Sequence, residues 1–369
     1  MCRHLYNWNL EERITVYEKD KRTISYRQQQ NALPELKERK PWYKSIYSQV
    51  LQDVLQRLEN AYQRFFRQKK GFPKYKKKGQ WNSITYSQFR RRPQDNTIDI
   101  PKLGKVKLVY HRDIPQDAMI KTLTIIKEGG KWFACFSIEL PDRLEPKPKL
   151  STAIGIDLGL DNFIFTSDNE SIAAPRYLRQ SASKIEKLQR KLSKIEKRTP
   201  CSMKVLLALQ KAYYRLRCKR NAFFYHLAHT LFKKTDIVCV ENLDIAKMTK
   251  RPNPQKDNET GKFLPNGATQ KSGLNRSIYD AGWGTFTRIL KSVATKLGKL
   301  LVSVPPQYTS QTCSECLEIV EKSLSTRTHK CPCGYIANRD YNAAKNILRL
   351  GLESLGLTTQ EAATIMLCI

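Results

Sequence analysis

The apolar positions change rhythm along the chain, and each rhythm predicts a different kind of element. Over residues 1 to about 68 they recur at three and four. Ile46, Val50, Val54, Leu55, Leu58, Tyr62, Phe65 and Phe66 fall on one helix face. Such stripes face a core, so this segment is expected to be a helical bundle. The period then becomes two. Residues 97–100 and 106–108 read as short strands, and 123–140 as a hairpin around Gly129-Gly130, a pair suited to a tight primed turn. Residues 72–140 thus predict a small β-barrel or sheet. Pro141, Pro146 and Pro148 mark a linker. Beyond it, 153–156 and 163–166 are short buried strands. Ile185, Leu188, Leu192 and Ile195 trace a helix that Pro200 breaks, and a second helix runs from about Met203 to Lys233. A third strand follows at 237–240, a helix from about Ala281 to Leu297, and a strand at 300–304. Residues 247–276, polar and rich in Pro, Gly, Asn and Lys, read as a mobile loop. The order is that of an α/β domain with insertions.

Charge narrows the partner. The 369 residues predict two or three domains at about 150 residues each. They carry 66 Lys and Arg against 34 Asp and Glu, a formal net charge of +32. Such an excess calls for a polyanion, with nucleic acid first and an anionic membrane surface second. No apolar run approaches the roughly 20 residues of a spanning helix. Residues 1–9 lack the apolar segment of a secretory signal, so a cytoplasmic, nucleoid-associated protein with no membrane partner is expected. Residues 67–78 (RQKKGFPKYKKK) hold seven basic residues interleaved with Phe72 and Tyr75, and 184–198 hold seven against Glu186 and Glu196. A charged helix face is usually just solvated, but this one-sidedness favours nucleic-acid contact. Lys74, Lys76, Lys77, Lys78, Arg90, Arg91, Arg92, Lys187, Arg190 and Lys191 are the candidate contacts.

Two groups of residues carry candidate chemistry. Asp157 follows the strand at 153–156, Glu241 follows the strand at 237–240, and Asp340 sits at the start of the last helix. A carboxylate at a buried strand end is costly without a partner, and a divalent metal is one such partner. Phosphodiester hydrolysis commonly uses two magnesium ions about 4 Å apart, held by hard oxygen ligands. Each carboxylate alone is more simply a cap or a salt-bridge partner; three in this order make the stronger case. The second group is Cys313-x-x-Cys316 with Cys331-x-Cys333, two short knuckles of the kind that hold one structural zinc in a tetrahedron of thiolates. Cys2, Cys135, Cys201, Cys218, Cys239 and Cys368 are scattered and read as small core residues.

Three stretches resemble one family: Ser277-Ile278-Tyr279-Asp280-Ala281-Gly282-Trp283-Gly284, then Thr309-Ser310-Gln311-Thr312-Cys313-Ser314-Glu315-Cys316, then Cys333-Gly334-Tyr335 through Arg339-Asp340-Tyr341-Asn342-Ala343-Ala344-Lys345-Asn346-Ile347. They look like the TnpB family of transposon-encoded RNA-guided nucleases, related to compact type V CRISPR effectors. The resemblance is specific over about 152–350 and looser through residues 2–8 and 71–76. It implies a helical recognition bundle (1–68), a β-barrel wedge domain (69–148), a RuvC-like, ribonuclease-H-like core with a helical insertion (149–308), an inserted four-cysteine zinc ribbon (309–336), and a last core segment with its tail (337–369). It maps the catalytic carboxylates onto Asp157, Glu241 and Asp340, and the zinc ligands onto Cys313, Cys316, Cys331 and Cys333. It implies a guide RNA and a double-stranded DNA target beside a short flanking motif, with Tyr26 and Gln52 as readers of that motif, 247–276 as a lid, and a monomer or homodimer. Members usually begin about thirty residues earlier with a wedge strand, so that strand is expected to be missing here. Leu317 stands where the family usually has Gly. The alternative is a guided DNA-binding protein that does not cut.

Overall fold

The computed structural model describes residues 1–141, 151–197, 199–257, 259–323 and 326–356. The chain divides into two compact units, Met1–Leu144 and Glu145–Ile369. The boundary expected at 148/149, the prolines at 146 and 148, Arg198, Cys368 and the tail beyond residue 356 lie outside the described residues.

The first unit opens with helix α1, Cys2–Asp20, which buries Cys2, Leu5, Tyr6, Asn9, Leu10 and Arg13. These positions fall three and four apart, one face of a helix. Short helices α2, Tyr26–Asn31, and α3, Leu33–Arg39, lead to α4, Ser48–Gln68. Helix α4 buries the expected stripe as far as Tyr62, but Phe66 at its end is 67% exposed. Strands β1, Ser83–Tyr86, β2, Thr97–Ile100, β3, Gly104–Lys107, β4, Met119–Glu128, and β5, Lys131–Glu139, follow. The β4–β5 hairpin turns through Gly129 and Gly130 at φ +57° and +80°, which the missing Cβ permits. The expected barrel is not closed among the described residues. Strands β1, β4 and β5 form one antiparallel sheet, and β2 and β3 a separate ribbon. Strands β1 to β3 have four residues each, too little edge to complete the ring of main-chain hydrogen bonds that closure needs. Helices and strands share one core, in which Leu5, Leu55 and Leu58 cluster with Ile98 and Leu123.

The second unit is built on a five-stranded mixed sheet. Its strands are β6, Ala153–Leu158, β7, Asn162–Thr166, β8, Ser171–Ala173, β9, Ile237–Glu241, and, beyond a small β10–β11 hairpin (Gln255–Lys256 with Phe263–Leu264), β12, Leu300–Val304. The order is β12-β9-β6-β7-β8. Strands β12, β9 and β6 run parallel, and β7 is antiparallel to both β6 and β8. Helices α5, Tyr177–Lys194, and α6, Pro200–Lys234, intervene before β9; α7, Ile245–Met248, α8, Ala268–Ala281, and α9, Trp283–Leu297, come before β12. A hairpin of β13, Thr328–Lys330, and β14, Ile336–Asn338, precedes the last helix, α10, Arg339–Ser354. Strand alternation sorts the two faces. Ile154, Ile156, Val238 and Val240 pack with Phe224, Phe232, Phe286 and Leu290 of α6 and α9. Ala153, Ile237 and Cys239 pack with Ile347, Leu348 and Leu352 of α10.

Two expectations change here. Residues 268–276 of the expected loop are helical, as part of α8; this helix buries only Ile278 and Asp280, so no apolar stripe marks it. Of the scattered cysteines, Cys2 and Cys239 are buried, but Cys135, Cys201 and Cys218 are exposed. Among the described residues, no helix is long and apolar enough to cross a membrane.

Candidate active site and metal centre

Position on the sheet brings the acidic residues together. Counting by twos from Ala153 and Ile237, Asp157 and Glu241 fall on the face that α10 covers. They sit one step beyond the Ile156–Val240 pair of the parallel β6–β9 ladder. Helix α10 reaches that face because Gly155 has no side chain: a Cβ there would meet the Ala344 carbonyl oxygen at 2.2 Å and the Leu348 nitrogen at 2.7 Å. One turn before Ala344 stands Asp340, in the first turn of α10, where the Asn338 side chain caps the backbone N–H groups of Asp340 and Tyr341. Burial pushes the Asp157 carboxyl well above the usual carboxylate range, and the charges of Glu241 and Asp340 push it further; Arg339 opposes them. Burial also raises Glu241, against a hydrogen bond from Thr309 and the charge of Arg339. The three carboxylates therefore share one field, with Arg339 as its positive charge.

Thr309, Asn342 and Asn346 hold this arrangement, and none of them is among the candidate site residues above. The Thr309 hydroxyl donates to Glu241. The Asn346 amide donates to the carbonyls of Thr309 at 3.0 Å and Thr312 at 2.7 Å. Asn342 donates to Thr312 at 2.7 Å and accepts from the Ser314 N–H at 2.9 Å. Asn342 and Asn346 are buried on a helix; buried asparagine at a spacing of four is the signal that could have singled them out, since such a group needs a partner.

The same contacts carry over to the cysteines. Sγ of Cys313 lies 3.8 Å from that of Cys333, and Cys316 lies 3.4 Å from Cys331. All four sulfur atoms fall within 4.8 Å of one another, a set that could hold one metal ion. Backbone bonds shape each knuckle. The Cys313 N–H donates to Glu318, and the Cys331 N–H to Tyr335. Gly334 turns the second knuckle at φ +92°. Burial pushes the Cys313 thiol up, but backbone N–H groups of Cys316 and Glu315 and the neighbouring thiols outweigh it and bring it down to about 7. Leu317 closes the first knuckle at φ +67°, in the left-handed region that favours glycine.

Comparison with known proteins places these features. A family model described as "Cas12f1-like, TNB domain" matches residues 283–347, and one described as "Probable transposase" matches 135–252. The Escherichia coli K12 protein named "Putative RNA-guided DNA endonuclease InsQ" is 30% identical over 357 residues, spanning 95% of this chain and 86% of its own. The chain belongs to the TnpB family. A Streptomyces pristinaespiralis protein, named "Putative RNA-guided DNA endonuclease", is 28% identical over 95% of this TnpB-family chain and 83% of its own. A cryo-EM structure of a Cas12f1–sgRNA–target DNA complex has a like fold, with a TM-score of 0.52 at 15% identity over 94% of this chain and 80% of that one.

The remaining candidates of the TnpB-family chain fall in both units. Tyr26 opens α2 half-buried against the first core, and Gln52 is half-buried on α4. Lys74, Lys77, Lys78 and Arg90 are exposed. The main chain of Lys76 is held by Asn7 at 2.8 and 3.0 Å, and its ammonium lies 5.2 Å from the centre of the Tyr6 ring. Arg91 pairs with Asp99. Arg92 is engaged within the chain: its guanidinium donates to the carbonyls of Ile114, Pro115, Gln116 and Ala118. With its donors so engaged it clamps a loop and has little left for a phosphate. Lys187, Arg190 and Lys191 are exposed on α5 in the second unit.

Proposed function

We propose that this chain is an RNA-guided DNA endonuclease with a ribonuclease-H-like, RuvC-type core. In it Asp157, Glu241 and Asp340 hold two magnesium ions, and Cys313, Cys316, Cys331 and Cys333 hold one structural zinc. The observation that carries the reading is the convergence of three carboxylates from β6, β9 and α10 on one face of the sheet, where burial disfavours the charges of Asp157 and Glu241. Hard oxygen donors fit magnesium. Thiolates about 2.3 Å from a tetrahedral zinc stand roughly 3.8 Å apart, close to the 3.4 and 3.8 Å separations here. The guided activity is supported by the names of the two long-range relatives and by the net charge of +32.

When bound, the magnesium ions would supply an activated water and stabilise the leaving oxygen. The chain's own residues do the rest. Glu241 is oriented by Thr309, Asp340 by the Asn338 cap, and Arg339 tempers the field. Base pairing with the guide reads the target, and the protein reads a short flanking motif, a role proposed for the first unit through Tyr26 and Gln52. Lysines 74, 77 and 78 with Arg90, and the exposed face of α5, would follow nucleic-acid backbones.

The test is to express the chain with its native flanking DNA, sequence the RNA that co-purifies, and assay cutting of a matching target. Asp157→Ala is expected to abolish cutting and leave RNA binding unchanged. A folded variant that loses RNA, or one that still cuts at the wild-type rate, would remove Asp157 from the site.

A further inference from the structure

The turn that follows Asp157 borders a second cavity, of about 330 Å³, that the metal site does not use. Arg176, Arg179, Arg220 and Arg327 line it, against the carboxylates of Asp161 and Asp280. Both carboxylates are already engaged. Asp280 accepts from the backbone N–H groups of Leu178 at 2.9 Å and Arg179 at 3.3 Å, and from Arg220 at 3.3 Å. Asp161 is shared between Arg176 at 3.1 Å and Arg327 at 2.8 Å. Four guanidinium groups and two carboxylates leave a formal charge of +2 around a small space.

One donor is also unmet, and a second guanidinium is held only by a neutral hydroxyl. The Arg220 Nε is buried with no hydrogen-bond partner, and the Arg179 guanidinium has a hydroxyl, Ser277 Oγ at 3.3 Å, as its side-chain partner. An unpaired buried donor is costly, the more so on a charged group. Charge and donors together call for a compact anion with several acceptor oxygens, which is the description of a phosphate. Placement says which phosphate. Leu160 and Asp161 lie in the turn between β6 and β7, three and four residues past Asp157, and Trp283 Nε1 holds that turn by donating to the Gly159 carbonyl at 3.3 Å. A strand laid across the carboxylates would pass its neighbouring phosphates over this turn.

We infer that the cavity seats one backbone phosphodiester of the strand being cut, a few nucleotides from the scissile bond, with Arg179 as the adaptable clamp. This rests on the nuclease reading, but its chemistry can be measured apart from cutting. Arg179 is exposed and in no ion pair among the described residues, so Arg179→Gln should spare the fold, while Arg179→Lys keeps the charge and loses the fork. Neutral methylphosphonates are placed one at a time along the cut strand. At one position the neutral linkage should slow wild-type cutting about tenfold, the scale of a charged hydrogen bond. It should add nothing in Arg179→Gln and have an intermediate effect in Arg179→Lys.

The second arm needs no cutting. The dinucleotide TpT is titrated into the Asp157→Ala chain, and the Nε–H resonances of Arg179 and Arg220 are followed by NMR. Movement of both supports the site even if the wild-type chain cuts nothing, a result that would fail the nuclease reading alone. Three outcomes overturn the inference. They are resonances that TpT leaves in place, methylphosphonate effects that persist at every position in Arg179→Gln, and inorganic phosphate shifting the two resonances where TpT does not, which would make the cavity a free-phosphate site.

Discussion

At the scale of single residues, the site depends on side chains held where they are least comfortable. Asp157 is surrounded by burial and by two further negative charges, so this position opposes stability when no cation is present. Leu317 shows strain without chemistry. At φ +67° a branched residue costs about 1–2 kcal/mol over glycine, partly offset by glycine's freer unfolded chain. Leu317→Gly is expected to stabilise the zinc-loaded chain by about 0.5–1 kcal/mol, seen as a higher denaturation midpoint with unchanged zinc content; an unchanged or lower midpoint would contradict the left-handed assignment. Asp157 and Glu241 were legible because an apolar strand running into an acid is a local pattern. Asp340 could be singled out as a candidate by its place at the start of the last helix, and the resemblance adds its proposed role. Thr309, Asn342 and Asn346 were not, because their roles are hydrogen bonds to chain some 30 to 70 residues away, and nothing in a polar residue's neighbours announces its partner.

At the scale of elements, the last helix and the glycines beneath it are decisive. A Cβ at Gly351 would meet Cys239 Sγ at 2.2 Å, so α10 rests on β9 there as it rests on β6 at Gly155. Gly351→Ala is expected to cost about 1–3 kcal/mol by overpacking. Cys239→Ala frees the space of the sulfur, so the double variant should lose less than the sum of the two, with a coupling of about 1 kcal/mol or more. Strict additivity in a thermodynamic cycle would mean the helix and strand do not meet at this point. Elements with a regular period, such as α4, α9 and the Gly129-Gly130 hairpin, were readable from the chain. Helix α8 was not, because it buries only Ile278 and Asp280. Nor was the open sheet in place of a barrel, since closure is a property of edges that no strand carries alone.

At the scale of the whole molecule, the carboxylate site proposed for magnesium and the cysteine quartet are joined by one segment of chain. Residues 309–314 bond to Glu241, Asn342 and Asn346, and they include Cys313, with Cys316 two residues beyond. Stripping the thiolate metal with a chelator and then restoring magnesium alone should leave the chain unable to cut, with activity returning only when zinc is added back at about one ion per chain. Full activity with magnesium alone would separate the two centres.

The placement of β6 has a consequence in time. It is the middle strand of its sheet, bonded to β9 on one side and β7 on the other, with α6 and α9 on one face and α10 on the other. Such a strand opens last and most rarely, because its hydrogen bonds break only with the core around them. Asp157 therefore sits on the slowest part of its unit. Any adjustment to a nucleic acid as it arrives falls to the faster periphery, while the groups at which the chemistry is proposed stay still.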